Sequence, residues 1–349
     1  MREDLVTLVH RDSDVRGFSL GAARILRRAV PFEGICVLAM DPATLVPTAA
    51  VLENGPPATM HTRLAEKEFR GEDFLAFRSL SLSERHVATL SQATGGVLER
   101  SERHLEIMGP HGFGDELRAA LVDGDVTWGG LCLMRGAGSE PFSPAHTRLV
   151  DAIRRLLAEG LRRAVLFNGD APGTLDDEDV TGVVVLEADG STAFADQAAA
   201  VWMDELGANG LVAPVVTAVA GQARVVAAGA AHDGRIARAR VRTRSGRWLV
   251  VRASVLADAP DAQVAVTIEP ARPHELAPLV ADAYGLTQRE REVTRLVALG
   301  LQTNAIAARM HLSSWTVQDH IKAIFDKVGV VTRGELVARV FFHQRAPRL

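Results

Sequence analysis

From Gly285 to Leu349 apolar residues recur at helical spacing and no stretch alternates as a strand would, so this end of the chain can only be a small all-α unit. Thr287 followed three residues later by Glu290 forms a capping box, ahead of the apolar positions Val293, Leu296 and Val297, and Gly300 stops that helix. Ile306, Ala307 and Met310 place apolar groups on one face of a short second helix. Ser313 is an N-cap for a third, Ser314 to Val328, whose buried stripe is Val317, Ile321, Ile324, Phe325 and Val328. Thr316, Gln318, Asp319 and Lys322 are left outside that stripe, with His320 at its border. Gly329 closes the third helix and Glu335 to Phe342 forms a last short one.

The charge is concentrated at the same end. The whole chain is net −4, yet Gly285 to Leu349 holds ten basic residues against five acidic ones, which is +5 there and leaves −9 for residues 1 to 284. Such asymmetry marks the C-terminal segment as the candidate for contact with a polyanion. Lysine occurs only at 67, 322 and 327, so two of the three lie in the third helix. A second helix that follows a tight turn and presents a polar face near its N-terminus can lay that face in a DNA major groove.

The segment LTQREREVTRLVALGLQTNAIAARMHLSSWTVQDHIKAIFDKVGVVTRGELVARVF resembles the LuxR-type helix-turn-helix DNA-binding domain. Leu286, Thr287, Glu290, Val293, Gly300, Ile306, Ser313, Thr316, Val317, Ile324, Lys327, Gly329 and Arg333 are among the residues in register with it. The resemblance implies double-stranded DNA as partner, a homodimer on two half-sites, and Thr316, Gln318, Asp319, Lys322, Lys327 and Arg333 as the DNA-binding residues. Within that set Lys322 is the groove-facing cation, and Thr316, Lys327 and Arg333 touch phosphates. The family commonly has Lys after Thr-Val, whereas this chain has Gln318 and then Asp319, so its readout should differ. Gln can pair with adenine and Asp can accept from cytosine N4. Asp319 could instead pair with Lys322 three residues on, and Lys327 could be a solvated charge. His320 is read as a packing residue, outside the base-reading set.

Upstream, the pattern is α+β. A helix at residues 18 to 30, a buried strand Ile35 to Met40, a turn at Asp41-Pro42, a hairpin at Asp123-Gly124 and a long helix Ser143 to Ala164 can be read. The Gly109 to Gly114 loop lacks a P-loop lysine and is followed by Asp115 and Glu116, expected to occupy a helix N-terminus that would otherwise hold an anion. Residues 167 to 180, rich in Gly, Pro and acid, mark a boundary. Beyond it come a strand Val183 to Leu186, a helix through Trp202, an apolar segment Val212 to Val226, a Ser245-Gly246 hairpin and a strand Val264 to Ile268. Pro270, Pro273 and Pro278 read as a linker. No internal repeat is found. The first part resembles the GAF fold, partly through GFGDELRAALVDGDVTWGGLCLMR, and the second a PAS-like domain, through GVVVLEADG and RTRSGRWLVVRAS.

The expected fold is therefore a multidomain α+β chain: a GAF-like sensory domain (1–166), a linker (167–180), a PAS-like domain (181–272) and an all-α four-helix LuxR-type helix-turn-helix domain (273–349). The function it implies is a cytoplasmic transcriptional regulator, with an unknown small-molecule or protein signal at the upstream domains. Cys36 and Cys132 sit in apolar runs and read as small buried hydrophobes. No metal, cofactor or catalysis is expected, because His104, His111 and Cys132 lack zinc-ligand spacing and GxSxG, HExxH and Walker motifs are missing. No secretory signal or membrane span is expected either. Alternating Arg238, Arg240, Arg242 and Arg244 read as a solvated strand face or, alternatively, a second phosphate stripe; Asp41 alone does not make a phosphoacceptor set. Two rival readings are an enzyme of residues 1–272 with the helical end as docking module, and a scaffold dimerising around Leu336, Val340 and Phe341.

Overall fold

Strand pairing organises the first 270 residues, and helix packing the rest. The structure, a computed structural model, describes residues 1–71, 73–166, 180–207, 213–229, 237–257 and 262–341. It divides into two units, Met1–Pro270 and Ala271–Leu349. The result is a mixed α+β multidomain chain. Residues 167–179, where the sequence places a boundary, lie outside the described residues.

In the first unit two helices, α1 (Arg2–Val9) and α2 (Val15–Leu26), precede β1 (Gly34–Met40) and β2 (Pro47–Glu53). After them come α3 (His61–Arg70), α4 (Phe77–Leu82), β3 (Val87–Thr89) and the short α5 (Leu90–Ala93). The hairpin β4 (Phe113–Asp123) and β5 (Val126–Gly136) leads into α6 (Pro144–Leu166). Then follow β6 (Gly182–Leu186), β7 (Thr192–Ala195), α7 (Gln197–Glu205), α8 (Pro214–Ala227), β8 (Arg238–Arg242), β9 (Trp248–Val255) and β10 (Val264–Pro270). Two antiparallel five-stranded sheets result, in the orders β2-β1-β5-β4-β3 and β7-β6-β10-β9-β8. Numbered within each sheet, both read 2-1-5-4-3. The sequence shows no repeat, but the topology repeats, because pairing order depends on where strands fall rather than on which side chains they carry.

Back-to-back glycines let helices close on both faces of the first sheet. A Cβ on Gly129 would stand 2.5 Å from Leu161 of α6, and one on Gly130 would stand 2.4 Å from the Phe77 ring of α4. On the α4 face the register aligns Cys36, Cys132 and Arg118 across β1, β5 and β4. Arg118 donates to Glu68 Oε2 at 2.8 Å and stacks 3.9 Å from the Phe77 ring centroid, while Arg103 donates to Glu116 at 2.6 Å. Burial pushes the Cys36 thiol up to about 12 against the pull of Arg118, and raises Cys132 in the same way. Both cysteines are thus neutral packing residues. Asp115 and Glu116 lie on β4 rather than at a helix start: Gly109–His111 is a single 3-10 turn and the strand begins at Phe113.

The turn between β1 and β2 reaches into the core of the second sheet. Val46, in the turn between β1 and β2, is fully buried among Val184, Trp202, Val216, Val219 and Val264 of the second sheet and its helices. Below it, Asp41 meets Arg240: Nε donates to Oδ2 at 2.8 Å, Nη2 to Oδ1 at 2.5 Å, and the Arg240 amide to Oδ2 at 2.8 Å, with both side chains 2% exposed or less. Arg242 donates to the Leu166 and Gly246 carbonyls. Arg240 and Arg242 thus have internal partners instead of lying on a solvated face, whereas Arg244, beyond the end of β8, is exposed and pairs with Asp204. An edge strand normally shows one face to water, but here the turn carrying Asp41 covers it.

Among its described residues the second unit holds five helices, one more than expected: α9 (Pro273–Ala283), α10 (Gln288–Ala298), α11 (Thr303–Met310), α12 (Ser314–Val328) and α13 (Arg333–Phe341). Of the stretch read as linker, Pro270 ends β10 and Pro273 and Pro278 lie in α9. Pro273 sits at its first position, where a missing N–H costs nothing, and Glu275 accepts from the Arg272 amide at 3.0 Å, so only Pro278 removes an internal hydrogen bond. Phe342, Arg345 and Arg348 lie outside the described residues.

Candidate nucleic-acid interface

The capping box at Thr287 is present as the sequence implies: the Glu290 amide donates to Thr287 Oγ1 at 3.3 Å and the Thr287 amide to Glu290 Oε2 at 2.6 Å. Val293, Leu296 and Val297 of α10 are buried, as are Ile306, Ala307 and Met310 of α11 and Val317, Ile321, Ile324 and Val328 of α12. The turn between α11 and α12 starts at His311, a non-glycine residue in the left-handed region at φ 56°. Ser313 caps α12 by accepting from the Thr316 amide at 3.0 Å, and Ser314 Oγ donates to Asn304 Oδ1 at 2.7 Å, tying the start of α12 to α11. Gly329 ends α12 at φ 71°. The elements that hold α12 outward are thus short-range and legible.

Gln318, Asp319 and Lys322 are exposed on α12, and among the described residues they make no hydrogen bond or ion pair, not even Asp319 with Lys322. Trp315, at positions i, i+3, i+4 and i+7 with these three, shares their face and is 72% exposed. The sequence reading passed over it, although the buried stripe at 317, 321, 324 and 328 already turns 315 outward. Thr316 is half-buried and its hydroxyl lies 2.8 Å from Ser313 Oγ, inside the cap. His320 is half-buried at the edge of the stripe.

The two remaining expected site residues have internal partners. Lys327 Nζ donates to both carboxylate oxygens of Glu290, at 2.9 and 2.7 Å, and to the Gly285 carbonyl at 3.2 Å. Burial alone would raise the Glu290 pKa, but Lys327 and the Thr287 cap outweigh it and hold the carboxyl below its ordinary value. Arg333 donates from Nη1 to the Leu301 carbonyl at 3.0 Å and from Nη2 to Thr303 Oγ1 at 2.6 Å, fastening α13 to the start of α11. Lys327 is thus an exposed cation that is paired with Glu290.

With this geometry in hand, comparison with known families is decisive for this segment: residues 285–340 match the model of bacterial regulatory proteins of the luxR family. Residues 285–340 are a luxR-family helix-turn-helix domain. Over 67 residues the chain is 39% identical to the transcriptional regulatory protein DesR of Bacillus subtilis (strain 168), which covers 19% of this chain and 34% of that protein. It is 38% identical over 63 residues to the nitrate/nitrite response regulator protein NarL of Escherichia coli (strain K12), covering 18% and 28%. The chain thus spans about a third of the length of these relatives or less. A solved structure, the GAF domain/HD domain protein from Geobacter sulfurreducens, aligns with 45% of this chain and 98% of its own, at 20% identity and a TM-score of 0.33. No helix among the described residues is long and apolar enough to cross a membrane, and no cluster of three or more His, Cys, Asp or Glu there could hold a metal.

Proposed function

We propose that the chain is a DNA-binding transcriptional regulator that lays α12 in the major groove. The observation that carries this reading is the exposed and unpaired set of side chains Gln318, Asp319 and Lys322 on α12, the second helix of the helix-turn-helix in a luxR-family domain. Gln318 would pair with adenine, Asp319 would accept from cytosine N4, and Lys322 would supply the groove-facing cation. Thr316 and Arg333 flank this face, and Arg333 keeps guanidinium N–H groups for a phosphate after its two internal bonds. Lys327 already serves three acceptors, so its contribution to phosphate binding would be shared with its hold on Glu290. A homodimer on two half-sites is the arrangement that doubles this contact.

The first unit is proposed as the signal-receiving part, divided into a GAF-like lobe (1–166) and a PAS-like lobe (181–272), in a cytoplasmic protein with no catalytic step assigned to it. The contact between the lobes supports this, because Val46 of the first is buried in the core of the second and Asp41 of the first pairs with Arg240 of the second. Selecting bound sites from random duplex DNA with the full chain tests the proposal. A defined site is expected, with base preference at one position altered in Gln318→Ala and at a neighbouring one in Asp319→Ala; recovery of no enriched sequence would reject it.

A further inference from the structure

The chain has four tryptophans. Trp128, Trp202 and Trp248 are between 1% and 4% exposed, whereas Trp315 is 72% exposed on a helix face otherwise made of Gln318, Asp319 and Lys322. Leaving a large indole in water on a polar stripe forfeits apolar burial, and the internal packing of α12 does not require it, since the buried stripe lies on the other side. Trp315 is the second residue of α12, within the N-terminal part that reaches deepest when such a helix enters the major groove. On that edge of the duplex the one apolar group is the C5-methyl of thymine.

We infer that Trp315 is a specificity-determining residue whose indole packs on a thymine C5-methyl in each half-site, next to the base read by Gln318. This rests on the proposed major-groove reading and adds to it the identity of one base and the atom recognised. The indole supplies shape and apolar area, while Gln318 and Lys322, one turn and two turns on, supply hydrogen bonds and charge. Because the indole is exposed, its removal leaves the domain's own packing untouched.

Two measurements on the full chain and its selected duplex test this. In the first, each thymine is replaced in turn by deoxyuridine, which deletes only the methyl. One thymine per half-site is expected to weaken wild-type binding about fourfold, the worth of one buried methyl. Trp315→Ala should bind the parent duplex more weakly and no longer distinguish the two bases there, while Lys322→Ala should bind more weakly yet keep the discrimination. In the second, acrylamide quenching of tryptophan fluorescence reports Trp315 above the three buried indoles. Saturating duplex should abolish the accessible component, and Trp315→Phe should lack it from the start. Wild-type binding with no thymine sensitivity, or with Trp315 still open to acrylamide, overturns the inference and leaves the major-groove reading standing. Loss of acrylamide access on raising the protein concentration without DNA also overturns it, in favour of a contact between copies. Failure of the wild-type chain to select any duplex rejects both.

Discussion

Truncating Asp41 to alanine should be among the most damaging single changes in the first unit. Its carboxylate accepts from the Arg240 side chain twice, from the Arg240 amide and, at 2.9 Å, from the Ala43 amide. Asp41→Ala therefore takes the carboxylate away from a guanidinium that is 2% exposed and from two backbone N–H groups. Removing one partner of a buried pair costs about 3–5 kcal/mol, because the other charge stays buried without compensation. At about 2–4 °C per kcal/mol for a unit of this size, the first unit's melting transition should fall by roughly 6–20 °C. Arg27 and Glu53 form an equally short pair at 2.7 Å, but their side chains are 43% and 33% exposed, so solvent screens them and Glu53→Ala should cost less than about 1 kcal/mol. Replacing both charged partners by apolar groups, Asp41→Leu with Arg240→Met, should recover the part of the loss that comes from the buried charge, while the two amides that Asp41 accepts from stay unpaired. Differential scanning calorimetry of the four chains reads all of this. An Asp41→Ala melt within 2 °C of wild type, or no recovery in the double variant, would refute the assignment of this pair as the lock between the two sheets.

Three further outcomes follow from the packing. Gly130→Ala drives a methyl into the Phe77 ring and should destabilise the first unit by about 1–3 kcal/mol, with Phe77→Leu in the same chain restoring part of it in urea denaturation. Lys327→Met should destabilise the second unit by about 1–3 kcal/mol at neutral pH; because Glu290 is depressed in the folded state, that contribution is present above the unfolded carboxyl value and lost as pH falls through the folded one. The gap between wild type and variant should therefore narrow below about pH 4.5, and a gap independent of pH would contradict the pairing. Cys36 and Cys132, held neutral by burial, should react with iodoacetamide at pH 8 far more slowly in the folded chain than in urea, and equal rates would show that they are open to solvent.

Much of the candidate interface was legible because its signals are local. Ser313 before Val317 and Gly329 after Val328 fix α12 to the residue, and the spacing of its buried side chains turns Gln318, Asp319 and Lys322 outward. The same logic reaches Trp315, whose exposure in the structure brings it to notice. What the sequence concealed depends on distant partners. The strands missed, β2, β3 and β7, all lie at sheet edges: partial exposure leaves β2 and β7 no clean apolar alternation, and β3 is only three residues long. Arg240 looks solvated until Asp41, 199 residues earlier, is placed against it. Lys327 and Arg333 look like surface cations until Glu290 and the Leu301 carbonyl come within reach. Helix α9 was hidden by prolines at positions a helix tolerates.

The placement of α12 on duplex DNA is tested most directly by titrating salt against the affinity of the full chain for its selected site, in wild type and in Lys322→Ala. The logarithm of the binding constant should fall linearly with the logarithm of the salt concentration, and Lys322→Ala should bind more weakly with a slope shallower by about 0.9 for each copy bound, about 1.8 for the proposed homodimer. Binding that is insensitive to salt, or a Lys322→Ala chain that binds and titrates as wild type does, would contradict it.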